Sequence, residues 1–202
     1  MPAAYPPAYY DEPRRAEQLR LAREQPLATF VVADDAGRPY VTPLPLVLAQ
    51  AAPDGTPLDD GALQFLGHLD AHNPAAAWVL DGRPGVAVFH GPSAYISPRD
   101  YVTRQLPTYN YRQVHVHGHL TRVTEAAQVA ADLRALVTAM EGAEGWVLPE
   151  GDARVPALIP HVVAFRFHVE RLDGRYKLSQ DKRADDRAAA DEKLRRAAGC
   201  PA

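Results

Sequence analysis

The stretch RQVHVHGHLTRV, residues 112–123, decides the fold class of this chain. Polar and apolar residues alternate along it with a period near two, the pattern of a half-buried β-strand. On such a strand His115, His117 and His119 share one face. Two interpretations are open: the face is a polar or half-buried side of a sheet, or it binds a metal ion. A strand holds the three rings in a row, whereas zinc needs converging ligands, so we predict no metal.

Short apolar runs on both sides repeat this signal. Strands or apolar runs are predicted at 27–33, 39–48, 62–68, 77–80, 85–90 and 158–170, helices at 14–24, 125–141 and 180–198, and a long loop at 91–107. Short strands, few helices and many turns predict a mainly β (α+β) fold, a closed or partly closed antiparallel barrel with peripheral helices. We expect one domain over 1–202, with an extended arm at 1–13 and a helical tail at 180–202.

Composition narrows the class of protein. A chain of 202 residues suits one domain, and a net charge of −3 argues against general coating of nucleic acid. Cys200 is the single cysteine, so no internal disulfide forms. The sequence has no run of 18 apolar residues, and its first 15 residues lack the apolar core of a secretory signal. We therefore expect a cytoplasmic protein without a membrane span.

Two stretches are rich in groups that bind ligands. Residues 91–111 combine tyrosines, hydroxyls and amides, and KLSQDKR at 177–183 places cations beside a serine and a glutamine. Planar aromatics with amides suit a heteroaromatic ring, and cations with a hydroxyl suit its phosphate. The residues alone leave a second interpretation open, in which the tyrosines are hydrogen-bonded plugs and the tail begins a solvated helix.

Three motifs taken together resemble the PaiB family of FMN-binding negative transcriptional regulators. They are GPSAYISPRDY at 91–101, LPTYNYRQVHVHG at 106–118 and KLSQDKRADDR at 177–187, and the resemblance covers most of residues 5–194. It implies a flavin-binding split β-barrel similar to that of pyridoxamine-phosphate oxidases. It also implies a homodimer with FMN at the subunit interface.

The resemblance further implies which residues contact FMN. Gln113 matches the strand glutamine that reaches the flavin ring, and 67–74 matches the segment that holds the phosphate. The implied cofactor contacts are Thr42, Leu44, Gly67, His68, His72, Asn73, Tyr95, Ser97, Thr108, Tyr109, Asn110, Gln113, His115, Lys177, Ser179 and Gln180.

Two positions depart from the family pattern. Ala71 stands where a basic residue is typical, so His72 could substitute for it, or Lys177 and Ser179 could dominate the phosphate site. Asp181 stands where asparagine is usual. A carboxylate there weakens phosphate binding unless Lys182 or Arg183 pairs with it.

The resemblance implies a regulator or a flavin-based sensor. The alternative is an FMN-dependent oxidoreductase of a small molecule, with His68, Tyr109 and His115 on the substrate side, and a third possibility is an interaction module that has lost its flavin. DNA is a possible partner, but helix 125–141 lacks the second helix of a helix-turn-helix. The tail mixes cations with acids, which favours a solvated or dimer-packing helix. No catalytic residue is assigned.

Overall fold

The computed structural model describes residues 7–12, 14–49 and 63–199. The strands are β1 (Asp11–Glu12), β2 (Leu27–Ala33), β3 (Pro39–Pro45), β4 (Val47–Leu48), β5 (Gln64–Asp70), β6 (Pro84–Ile96), β7 (Thr108–Val123) and β8 (Val162–Lys177). The α-helices are α1 (Arg15–Glu24), α2 (Ala126–Glu141), α3 (Arg154–Leu158) and α4 (Ala184–Ala197). Short 3-10 helices cover Ala8–Tyr10, Pro74–Trp78, Pro98–Asp100 and Ile159–His161. The mainly β, α+β prediction is confirmed.

The strands form one sheet in the order β3-β2-β6-β7-β8-β5-β4, and β1 pairs with β8. β2 and β3 are antiparallel, with Leu27 opposite Pro45 and Ala33 opposite Pro39. β5 and β8 are also antiparallel, with Gln64 opposite His168. β2 and β3 are joined by a short turn, as the turn-rich sequence predicts, whereas β5 and β8 are far apart along the chain.

Several sequence predictions need correction. The apolar run at 77–80 is not a strand, because Asn73 caps a 3-10 helix over Pro74–Trp78. The predicted loop at 91–107 is a strand up to Ile96, where Ala94 and Ile96 alternate into a buried cluster. The segment 158–161 is helical, and its strand begins only at Val162. Residues 1–6, 13, 50–62 and 200–202 lie outside the described part, so the arm at 1–13 is described only over 7–12, where β1 pairs with β8.

The chain forms two compact units, which we treat separately. The central unit contains the described residues of 26–88 and 116–171, and the terminal unit contains those of 1–25, 89–115 and 172–202. β6, β7 and β8 each contribute residues to both units. One domain over 1–202 remains a prediction.

The central unit is built on aromatic packing and on α2. Phe30 packs against Phe165 and Phe167 with ring centroids 5.6 and 5.5 Å apart. The predicted stripe of α2 buries Val129, Leu133 and Leu136 in a second cluster. Burying such side chains contributes roughly 1.5–3 kcal/mol each.

Gly118 lies in the stretch that decides the fold, at a close approach of β7 to β8. A Cβ atom at this position would lie 1.9 Å from the carbonyl oxygen of His168. Any side chain would therefore push the two strands apart. Glycine is required here by proximity rather than by backbone conformation.

In the terminal unit, α4 packs through one face. Ala190 and Leu194 are buried with Ala94, Ile96 and Tyr101. The helix is therefore anchored within this unit rather than solvated on all sides. Its apolar face is short because acids and cations occupy most of the other positions.

Candidate functional site

Ser179 and Gln180 of the KLSQDKR motif follow β8 and make hydrogen bonds within the terminal unit. Ser179 is buried in a left-handed backbone conformation with φ of 60°, which is uncommon for a residue other than glycine. Its Oγ accepts from Asn110 Nδ2 at 3.1 Å and lies 3.3 Å from the Tyr101 hydroxyl. Gln180 Oε1 accepts from the Leu178 amide at 2.6 Å. These bonds fix the turn between β8 and α4.

Lys177 is the first cation of the KLSQDKR motif and the last residue of β8. Its Nζ donates to Thr108 Oγ1 at 2.6 Å and lies 5.7 Å from the centroid of the Tyr10 ring. An ammonium group has three donors, so one bond to Thr108 leaves capacity for an anion. The structure thus brings together two of the predicted cofactor residues, Lys177 and Thr108.

Asp181 is paired with a cation in the way that the sequence analysis required. Lys182 Nζ lies 2.8 Å from Asp181 Oδ2. The ion pair raises the pKa of Lys182, chiefly through the hydrogen bond to Asp181. The extra carboxylate of the tail motif is therefore offset locally and opposes a bound phosphate less strongly.

Aromatic and amide groups are accessible on the terminal unit. Tyr95 and Tyr109 are each about half exposed, with ring centroids 6.5 Å apart. Gln113 Nε2 lies 3.2 Å from His90 Nδ1, and His115 is half-buried two residues further along β7. Ser97 instead caps the turn at Pro98–Asp100 in a capping box.

In the central unit, Thr42 and Asn73 meet although they are far apart in sequence. Asn73 Nδ2 donates to Thr42 Oγ1 at 3.0 Å, and Asn73 Oδ1 accepts from the Ala75 amide at 3.0 Å. Thr42 and Leu44 are both buried on the same side of β3. Asn73 therefore links the end of the GHLDAHNP segment to β3.

His72 has a carboxylate as its neighbour. Its ring Nδ1 lies 2.9 Å from Asp70 Oδ1, which also accepts from the His72 amide at 2.7 Å. These hydrogen bonds lower the pKa of Asp70, so the carboxylate stays charged. A negative charge at this distance opposes phosphate binding by His72, which favours Lys177 as the phosphate cation.

Gly67 and His68 point to opposite faces of β5. A Cβ on Gly67 would touch Leu46 and Phe165, so this position faces the aromatic core. His68 is half-buried on the other face, where burial lowers the pKa of its imidazole. Because successive residues of a strand face opposite sides, a ligand on the His68 face could meet Gly67 only through its backbone.

Sequence reasoning missed Arg112. Its guanidinium lies 5.9 Å from the centroid of the Tyr176 ring, and its Nε is buried without a hydrogen-bond partner in the described residues. It lines a cavity of about 420 Å³ together with Tyr9, Arg14 and Gln180. The alternation in 112–123 marks a strand but carries no signal for this packing.

The three histidines of β7 lie on one face, as the alternation predicts. They are half-buried, whereas Val114, Val116 and Leu120 face the core. His119 stacks on His168 with ring centroids 4.9 Å apart and lies 2.9 Å from a Glu170 carboxylate oxygen. Across the described residues, no three His, Cys, Asp or Glu side chains are grouped as a metal site requires.

These side chains fit the chemical needs of FMN. Lys177 can pair with a phosphate, an amide such as that of Gln113 can bond the polar edge of the flavin, and the Tyr95 and Tyr109 rings can pack on it. Bound FMN would supply a redox-active ring. The individual contacts remain predictions for all residues in the cofactor set, including buried Asn110 and Ser179.

Comparison with known proteins gives the class. Residues 4–171 match the model of a family described as "Putative FMN-binding domain". The chain belongs to this family. This match supports FMN as the cofactor, and together with the relative and the solved structures that follow it confirms the PaiB resemblance, the split β-barrel fold class and the cofactor.

A particular relative supports the same conclusion. The chain is 29% identical over 187 residues to the Bacillus subtilis protein "Protease synthase and sporulation protein PAI 2", covering 90% of this chain and 84% of that one.

Solved structures show the fold at low identity. The FAD and heme binding protein of Mycobacterium smegmatis matches with a TM-score of 0.60 and 16% identity, over 90% of this chain and 80% of that one. The flavocytochrome Anf3 of Azotobacter vinelandii matches with a TM-score of 0.59 and 13% identity, over 84% and 70% of the two chains. Among the described helices, none combines the length and hydrophobicity needed to span a membrane.

Proposed function

We propose that this FMN-binding protein acts as a homodimeric regulator or flavin-based sensor, with FMN at the subunit interface. The observation that carries the dimer is an exposed apolar face of the β2–β3 strand pair. Leu27 and Val41 are 61% and 56% exposed there, while Ala28, Phe30 and Leu44 on the opposite face are buried.

Strand register places this apolar face on adjacent positions. Leu27 is opposite Pro45, Thr29 opposite Pro43 and Val31 opposite Val41, so all six side chains share one side of the sheet. Five of the six are apolar, and Leu27, Val41, Pro43 and Pro45 are exposed; a largely apolar exposed surface of this kind marks an interface. A second copy of the chain would cover it, in keeping with the twofold symmetry of most homo-oligomers.

The regulatory part of the proposal rests on the family resemblance and on the printed name of the B. subtilis relative. These favour regulation over the oxidoreductase alternative. The single cysteine supports a reducing compartment such as the cytoplasm, because it forms no internal disulfide.

Direct DNA contact by the tail is weakly supported. In α4, Arg195 pairs with Asp191 and Arg196 with Glu192, while Lys193 Nζ lies 3.8 Å from Asp100. Paired cations offer less charge to phosphates. A gel shift with specific and scrambled promoter DNA at about 150 mM salt tests this partner, because non-specific binding weakens with salt.

The FMN site is tested by titrating the protein with FMN and following flavin fluorescence. We expect Lys177→Ala to weaken FMN binding by ~1–3 kcal/mol through loss of a charge-assisted bond to the phosphate. Lys193→Ala is the matched control, because this lysine of α4 is outside the predicted FMN contacts and its Nζ lies 3.8 Å from Asp100. Equal affinity of Lys177→Ala and the wild type would remove Lys177 from the site.

The dimer is tested by measuring the molar mass in solution. Val41→Glu places a charge on the apolar β2–β3 face and should yield a monomer with weaker FMN binding. Val102→Glu, at a position that is 67% exposed in the terminal unit, is the control. A Val41→Glu protein that stays dimeric would contradict this interface.

A further inference from the structure

A second cavity, separate from the one beside Arg112, lies in the central unit on the α2 side of β5. It measures about 400 Å³ and is bordered by α2, α3 and the segment between them. Its lining includes His68, Val137, Trp146, Arg154 and Leu158. Cavities of a few hundred Å³ with mainly apolar walls and one or two polar groups are typical small-molecule sites.

His68 is the polar group that β5 contributes to this wall. Its Nδ1 is buried and has no hydrogen-bond partner in the described residues, so the rest of the ring forms the accessible edge. A buried N–H without an acceptor is rarer than a buried acceptor without a donor. This favours the neutral tautomer with its proton on Nε2, and burial lowers the imidazole pKa in agreement with a neutral ring.

Arg154 does not make the cavity an anion site. Its guanidinium donates three hydrogen bonds to Asp152, from Nη2 to Oδ2 at 2.6 Å and from Nε to Oδ1 and Oδ2 at 3.0 and 3.2 Å. The same contacts lower the pKa of Asp152 to about 2, so the carboxylate remains charged. The charge at the rim is thus neutralised within the protein, and a ligand need not carry a counter-charge.

We propose that this cavity binds an uncharged, largely apolar small molecule whose carbonyl or ether oxygen accepts a hydrogen bond from the imidazole of His68. The apolar walls from α2 and α3 favour a flat hydrocarbon body. Trp146 and Leu158 are about half exposed, so they lie where a ligand would cover them. This site goes beyond FMN binding, because α2 and α3, which supply most of its lining, carry none of the predicted FMN contacts, and His68 is the one lining residue shared with that set.

The test uses the fluorescent ketone 6-propionyl-2-(dimethylamino)naphthalene as probe, added to the FMN-loaded protein. We expect a blue shift of its emission on binding. Val137→Trp, which fills the cavity, should abolish the shift, whereas Val102→Trp, which does not line it, should not. Should Val137→Trp fail to fold, Leu158→Glu at the accessible wall should weaken binding instead.

The role of His68 is tested with a second probe, 2-(dimethylamino)naphthalene, which lacks the carbonyl. His68→Leu should weaken ketone binding about five- to tenfold, the scale of one hydrogen bond, and leave the second probe unaffected. Equal loss for both probes would overturn the hydrogen bond. Unchanged ketone binding in both Val137→Trp and Leu158→Glu would overturn the site.

FMN titration of the same variants separates this site from the flavin site. We expect Val137→Trp to bind FMN as the wild type does. Displacement of the ketone by added FMN, or loss of FMN affinity in folded Val137→Trp, would overturn the proposal by making the cavity part of the flavin site.

Discussion

Asp132 and Asp186 are both buried on helices, yet the pKa of Asp132 in the central unit is raised and that of Asp186 in the terminal unit is lowered. Asp132 lies within α2 of the central unit, where Arg166 and Gln128 donate to Oδ1 at 2.7 and 2.8 Å. Its Oδ2 has no partner in the described residues. Asp186 lies in the first turn of α4 in the terminal unit, where both of its oxygens accept hydrogen bonds.

The pKa shifts of the two carboxyl groups have opposite directions and different largest causes. Burial raises the pKa of Asp132, and the bonds from Gln128 and Arg166 oppose that shift without cancelling it. Hydrogen bonds from the Thr103 side chain and amide, with Gln105, lower the pKa of Asp186. At Asp186, neutral donors to both oxygens at a helix N-terminus outweigh the effect of burial on the pKa, whereas at Asp132 one cation and one amide on a single oxygen do not.

Removing the carboxylate of Asp132 should have the largest effect. Asp132→Ala leaves the buried guanidinium of Arg166 without a counter-charge, and we expect a loss of about 3–5 kcal/mol in the free energy of unfolding. Denaturant unfolding measures it. Asp191→Ala, which breaks an exposed i,i+4 pair with Arg195, should cost less than about 1 kcal/mol. Equal losses in the free energy of unfolding for Asp132→Ala and Asp191→Ala would contradict a special role for the buried pair.

Replacing both ionic partners sharpens the same point. Asp132→Leu combined with Arg166→Met should recover most of the stability lost in Asp132→Ala, because no buried charge remains to be desolvated. Thermal unfolding of the single and double variants checks it. A double variant less stable than Asp132→Ala would show that the ion pair is net stabilising.

For Asp186 we expect a smaller loss. Asp186→Asn keeps the shape but turns one acceptor oxygen into a donor that faces Thr103 and Gln105, and these half-buried partners can bond to water instead. The thermal midpoint should fall by less than in Asp132→Ala. Asp185→Asn is the neighbouring exposed control, and a midpoint equal to that control would show that the bonds add no stability.

The smallest effect is a difference in pH dependence between about pH 3 and pH 7. The lowered pKa of Asp186 contributes stability that is present above its usual value of 3.8 and is lost as pH falls through the folded-state pKa. The raised pKa of Asp132 acts with the opposite sign, because the native state loses stability as pH rises from 3.8 through the folded-state pKa.

Urea midpoints of the wild type and the two variants, measured across this pH range, show how each stability difference changes with pH. The stability advantage of the wild type over Asp186→Asn should grow as pH rises, and its advantage over Asp132→Asn should shrink. Slopes of the same sign would contradict the opposite pKa shifts.

Local patterns in the sequence were sufficient for the main elements. The alternation at 112–123 predicts β7, and the stripe beginning at Val129 predicts the buried face of α2, because each signal repeats within a few residues. The loop predicted at 91–107 was wrong over 91–96, since Ala94 and Ile96 are buried only when α4 supplies Ala190 and Leu194. That partner is nearly a hundred positions away along the chain.

The same distinction applies to the candidate site. By itself the sequence determined most of the strands, the helices α1, α2 and α4, and through its motifs the family and FMN. Only the tertiary structure decided that Lys177 contacts Thr108, that Asp70 accompanies His72, and that His68 faces a cavity beside α2. Hydrogen-bond partners and burial depend on residues that folding brings together, and Asp186 and Thr103, 83 positions apart, illustrate why no local pattern records them.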